Sequence, residues 1–73
     1  MEIYQKIKLY INEAGFKQGR IAEKAGYDEK KFSAMMTGKR KVYADDLERI
    51  CRALDTPPTT FIDYNDKQAS EKT

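Results

Sequence analysis

The stretch "AGYDEKKFSAMMTGKRK", residues 25–41, carries the signals for the end of one helix and the start of another within four positions. Ala25-Gly26 is typical of a helix terminus, because glycine readily adopts the left-handed conformation found there. Asp28 is a favourable N-cap residue, and Glu29 adds negative charge to the first turn that follows. The stretch therefore predicts two helices joined by a sharp turn, with the second helix stopped by Gly38.

Upstream of this turn, two amphipathic helices are expected. The first should be closed by Gly15, after which Phe16 should reach back toward the core. The second should cover residues 18–25. The apolar stripe of the first helix consists of Ile3, Ile7, Tyr10, Ile11 and Ala14.

Downstream, a fourth helix is expected over residues 44–54, and Pro57-Pro58 should open a last short helical turn. Phe61 and Ile62 would pack that turn onto the core. No segment alternates polar and apolar residues as a strand does. The sequence thus predicts an all-α fold, a compact bundle of about five short helices in residues 1–63, with a disordered tail over residues 64–73.

Charge is distributed unevenly along the 73 residues. The net charge is only +2, but residues 17–41 carry eight basic and three acidic side chains, which gives +5. Residues 42–73 carry four basic and seven acidic side chains, which gives −3. The positive charge lies around the two joined helices, and this asymmetry indicates an anionic partner.

Catalysis and metal binding are not expected. The chain has no histidine, and its single cysteine, Cys51, lies on the inner stripe of the fourth helix. Asp45 and Asp46 are better explained as favourable negative charge at the start of that helix than as a catalytic pair of carboxylates. We expect no enzyme activity, no cofactor, no metal and no small-molecule ligand. Without a leader or membrane-spanning stretch, a cytoplasmic location is the simplest expectation.

A helix of about eight residues, a short turn with glycine and a second helix together form a helix-turn-helix. Ala22 suits the close contact between the two helices. The second of them can enter the major groove of duplex DNA, while the first lies across the backbone.

The segment "KQGRIAEKAGYDEKKFSAMMTGKRK" resembles the helix-turn-helix of the lambda-repressor-like domains, also called Cro/repressor or Xre domains. Gln18 matches the polar residue that starts their second helix, and "IAEKAG" matches their L-A-x-x-x-G. Ser33 and the G-K-R of residues 38–40 also match. "LERICRALDTPPTTFI" is similar to their fourth and fifth helices, so the resemblance covers most of the chain.

The resemblance implies two sets of DNA contacts. Four residues of the third helix would face base edges: Glu29, Lys30, Ser33 and Ala34. Five others would hold phosphates: Gln18, Thr37, Lys39, Arg40 and Lys41. The chemistry suits these roles, because lysine can donate to guanine and glutamate can accept from cytosine.

Two positions depart from the family pattern, and Glu29 needs a favourable neighbour. Met36 stands where the family usually has Glu, and Gly19 lies in the first turn of the second helix, where glycine weakens helix formation. Glu29 would repel phosphate unless cytosine or a basic side chain lies beside it. Ser33 and Ala34 can also be explained as small exposed helix residues, and the basic run as a solvated loop.

The function implied is sequence-specific binding of double-stranded DNA by a bacterial or phage transcriptional regulator of the repressor type. A homodimer is expected, with its contact from the fourth helix onward, and Tyr43 and Tyr64 either join that contact or cover core edges. The alternative is a protein-interaction module on the same fold, such as an antitoxin-like regulatory partner.

Overall fold

The computed structural model describes residues 1–62 and contains four α-helices followed by one 3₁₀ turn. These helices are α1 (Ile3–Glu13), α2 (Gln18–Ala25), α3 (Glu29–Met36) and α4 (Ala44–Leu54), and the 3₁₀ turn covers Pro58–Thr60. There is no strand in this part of the chain. The all-α prediction is confirmed, and the last short helical turn expected at Pro57-Pro58 is the 3₁₀ turn. The predicted tail, residues 64–73, lies outside the described residues.

Helix α2 lies at the centre of the packing and contacts α1, α3 and α4. The core contains side chains from all four helices and is closed by Phe61 from the end of the 3₁₀ turn. Phe32 of α3 is fully buried, and Met35 and Met36 lie beside it in the core. Since these three residues anchor α3, the opposite face of the helix is left toward solvent.

Two expectations for the turn after α1 are wrong. Phe16 is 43% exposed and Ala14 is also exposed, so neither belongs to the core. The Gly15 turn brings the Phe16 amide onto the carbonyl of Ile11 at 3.0 Å. Ile11 and Ile21, each 1% exposed, fill the core on either side of this turn. The Phe16 ring is therefore left on the surface.

The ends of α3 and α4 show how the chain stops its helices. The amides of Lys39 and Arg40 both donate to the Ala34 carbonyl, at 2.9 and 3.1 Å, after the left-handed Gly38. Helix α4 ends in the same way at Asp55, which has a positive φ of 56° without being glycine. Residues other than glycine are uncommon in this left-handed conformation, although aspartate tolerates it better than most.

Candidate nucleic-acid interface

The corner between α2 and α3 is built around Gly26, whose φ of +83° only glycine adopts without strain. The Gly26 amide donates to the Glu23 carbonyl, and the Tyr27 amide donates to the Ala22 carbonyl at 2.8 Å. Ala22 is 1% exposed, in keeping with its expected place at the helix contact. This corner turns the chain through three residues and lets α3 begin at once.

The side chain of Tyr27 connects the corner to α4. Its hydroxyl donates to Asp46 Oδ1 at 2.6 Å, and Asp46 Oδ2 accepts from the Tyr43 amide at 3.0 Å. The cationic groups of Lys31 and Arg49 lie 5.5 and 5.2 Å from the centre of the Tyr27 ring, within cation–π range. The orientation of α3 is therefore fixed by contacts with α4 as well as with α2.

The ionisation of this pair reflects its surroundings. Burial and the hydrogen bond to Asp46 raise the pKa of Tyr27 to about 12. Burial acts most strongly and raises the pKa of Asp46, but the bonds from Tyr27 and the Tyr43 amide, together with the positive charges of Lys31 and Arg40, outweigh it. The net result is a pKa of Asp46 below 3.8. At neutral pH the pair is therefore a neutral phenol donating to a carboxylate, which is a strong type of hydrogen bond.

The outward face of α3 carries the predicted base-contacting residues. Lys30 and Ser33 are exposed, and Ala34 is partly buried. Among the described residues the one ion pair joins Arg52 to Glu48, so no carboxylate within 4.0 Å holds the Lys30 ammonium. The side chains of Lys30 and Ser33 are left free to meet an external partner.

Glu29 is the predicted base-contacting residue that lies nearest to α2. A Cβ atom placed on Gly19 would be 2.7 Å from Glu29 Oε2, so the carboxylate leans over the first turn of α2. Negative charge is favourable at the start of a helix. A side chain at position 19 would therefore have to displace the Glu29 carboxylate.

The predicted phosphate-binding residues occupy two places. Gln18 is the first residue of α2 and is partly buried. The others follow one another at the end of α3, where Thr37, Lys39, Arg40 and Lys41 are all exposed. The Thr37 hydroxyl donates to the carbonyls of Ser33 and Ala34, at 3.1 and 3.2 Å, which leaves only its acceptor capacity for a partner.

The basic run borders a cavity of about 590 Å³ between the end of α3 and the start of α1. Its walls are formed by Glu2, Ile3, Tyr4 and residues 38–42. Lys41 also places its ammonium group 5.7 Å from the centre of the Tyr43 ring. Tyr43 is 60% exposed, so it covers little of the core edge.

Sequence reasoning missed two tyrosines of this region. Tyr4 lies against Gly38, and Tyr27 connects α2, α3 and α4. Their partners are distant in sequence, and no local pattern links them. The helical periodicity of α1 would have placed Tyr4 near the inner stripe, but not against the turn that follows α3.

Other kinds of site find little support in residues 1–62. No group of three or more acidic, cysteine or histidine side chains is arranged there to hold a metal ion. No helix of this part is long and apolar enough to cross a membrane. Cys51 is buried, and burial raises the pKa of its thiol.

Comparison with protein families matches residues 6–61 to a family described as a helix-turn-helix domain. A comparison with curated proteins found no match. The matched residues include all of α2, α3 and α4, together with the corner at Gly26. The chain belongs to the helix-turn-helix domain family.

Proposed function

We propose that the protein is a sequence-specific double-stranded DNA-binding regulator of transcription, of the lambda-repressor-like (Xre) type, from a bacterium or a phage. The observation that carries this proposal is the combination of an exposed α3 face with a basic run directly after it. Helix α3 has eight residues and a length of about 12 Å. An α-helix of this size fits the major groove.

In the proposed complex, α3 lies in the major groove and Lys30 donates to a guanine edge. Ser33 supplies a hydroxyl beside it, and Ala34 offers a methyl group for contact with thymine. Lys39, Arg40 and Lys41 neutralise phosphates on one side, and Gln18 binds a phosphate at the start of α2 on the other. Repression would follow from occupancy, because a protein seated on the operator excludes other proteins.

One module of this size buries little surface, so we propose that two copies bind a palindromic operator. Half-sites would then lie about 34 Å apart, which is one turn of DNA. A mostly apolar cavity beside α4 supports a contact there, since it is bordered by Val42, Tyr43, Leu47 and Ile62. Sedimentation of the free protein and of its DNA complex would determine the number of copies in each.

A protein-interaction module, such as an antitoxin-like partner, is the second candidate. The observation in its favour is a group of acidic side chains at the corner itself: Glu23, Asp28 and Glu29 border one cavity there. Such a group would repel phosphate and attract a basic protein surface. In this case, duplex DNA would bind weakly or not at all at moderate salt.

Selection of binding sites from random duplex DNA tests the proposed function, with Lys30→Ala and Lys31→Ala as a matched pair. Both changes remove one positive charge from α3, but Lys31 lies against the Tyr27 ring. Lys30→Ala should lose preference at one base pair and cost about 1–3 kcal/mol there. Lys31→Ala should keep the motif. If the Lys30 variant selects the wild-type motif unchanged, Lys30 is not a base contact.

A further inference from the structure

Tyr4, in the first turn of α1, lies against the turn that ends α3. A Cβ atom on Gly38 would be 2.7 Å from the Tyr4 hydroxyl oxygen and 2.8 Å from Cζ. A real Cβ atom would not fit at these distances, so the Tyr4 ring can take this position only because residue 38 has no side chain. Gly38 therefore does more than adopt a φ of +84°, since it also lets the Tyr4 ring approach the backbone next to the basic run.

The Tyr4 hydroxyl is a hydrogen-bonding group without a partner among residues 1–62. Tyr27, in contrast, has its hydroxyl bonded to Asp46. The Tyr4 ring is partly buried and packs against the core, which limits the positions that its hydroxyl can take. A donor held in place in this way loses little conformational entropy when it binds a ligand.

The electrostatic surroundings of this hydroxyl suit an anion. Tyr4 borders the cavity formed with Lys39, Arg40 and Lys41, and the opposing charge on its wall is that of Glu2. Tyr4 also borders a second cavity together with Thr37, the residue that caps α3. The hydroxyl thus lies where the proposed major-groove helix ends and the proposed phosphate contacts begin.

We propose that Tyr4 binds a DNA phosphate, with its hydroxyl donating to a phosphate oxygen while the basic side chains of residues 39–41 surround the same group. Tyrosine hydroxyls are among the donors that contact the DNA backbone. This inference rests on the proposed function and adds α1 to the elements that position the protein on duplex DNA. The contact carries no base information, so it affects all sequences alike.

Tyr4→Phe is the direct test, because it removes the hydroxyl and keeps the ring over Gly38. Affinity for duplex DNA should fall roughly 5- to 20-fold for the selected site and for random sequence alike. The slope of affinity against salt should not change, because a neutral donor releases no counterion. Tyr10→Phe is the matched control on the same helix: that ring packs edge-on against Phe61, and its loss of a hydroxyl should leave DNA affinity unchanged.

A second measurement identifies the phosphate. Uncharged methylphosphonates are placed one at a time along the selected site, and wild type is compared with Tyr4→Phe on each duplex. At one position the advantage of the wild type should disappear. The proposal is overturned if the two proteins bind unmodified DNA equally, or if no position abolishes the difference. If wild-type protein binds no duplex DNA at low salt, the proposed function itself fails.

Discussion

The Tyr27 hydroxyl donates to the carboxylate of Asp46 at 2.6 Å and so joins the corner of the helix-turn-helix to the first turn of α4. Asp46 in turn accepts from the Tyr43 amide at the start of that helix. One carboxylate therefore caps α4 and holds the residue from which α3 departs. This contact therefore affects both the stability of the fold and the orientation of the proposed DNA-binding helix.

Tyr27→Phe should reduce the free energy of unfolding by about 1.5–3 kcal/mol, the usual value of a hydrogen bond to a charged group. The ring remains, so its contacts with Phe32, Lys31 and Arg49 are kept. Urea unfolding followed by circular dichroism measures the change. Tyr10→Phe should be nearly neutral, and an equal loss in both variants would show that the Asp46 bond contributes nothing.

Acidification should remove the contribution of Asp46. The folded state lowers the pKa of Asp46 below 3.8, so its stabilising effect is complete well above that pH and is lost as the pH falls through the folded value. The difference in stability between wild type and Asp46→Asn should therefore be largest near neutral pH and shrink below 3.8. A difference that stayed constant down to pH 2 would contradict this pKa shift.

Gly38→Ala should destabilise the fold more than Gly26→Ala. Both positions have φ near +84°, and each alanine incurs about 1–2 kcal/mol of left-handed strain. At Gly26 a Cβ meets no atom of residues 1–62 within 4 Å, whereas at Gly38 it meets the Tyr4 ring. In a Tyr4→Ala background the cost of Gly38→Ala should drop to that of Gly26→Ala. Equal costs in the wild-type background would argue against the close approach of Tyr4.

Gly19→Ala should depend on Glu29. Alanine favours the helix by about 0.5–1 kcal/mol, but its Cβ would displace the Glu29 carboxylate from a position 2.7 Å away. Gly19→Ala should raise the free energy of unfolding by the full amount in a Glu29→Ala background and by less in the wild type. A double-mutant cycle by urea unfolding gives the coupling, and a coupling of zero would mean that Glu29 does not rest on α2.

Local features of the sequence predicted the helices well. The bounds of α2 and α4 match the expected residues 18–25 and 44–54, because glycine, proline and acidic first-turn residues mark helix ends. The short helical turn expected at Pro57-Pro58 is the 3₁₀ turn Pro58–Thr60. The exposed Phe16 was not foreseen, since hydrophobicity alone does not tell whether a ring after a turn finds space in the core.

Contacts between distant residues were beyond such reasoning. Gly19 lies beside the Glu29 carboxylate and Gly38 lies beside the Tyr4 ring, and neither contact follows from the helix to which the glycine belongs. These contacts depend on how α1, α2 and α3 pack. The proposed base and phosphate contacts remain predictions, which the exposure of α3 permits but DNA binding must test.

Binding of random-sequence duplex DNA over a series of salt concentrations tests whether the end of α3 contacts DNA, with Arg40→Gln and Arg52→Gln compared. Both remove one guanidinium, but Arg52 lies on α4 beside Glu48. Wild-type affinity should fall steeply with salt, Arg40→Gln should lower the slope by about 0.9, and Arg52→Gln should leave it unchanged. Absent or salt-independent binding by the wild type, or equal slopes for the two variants, would contradict a DNA interface at the end of α3.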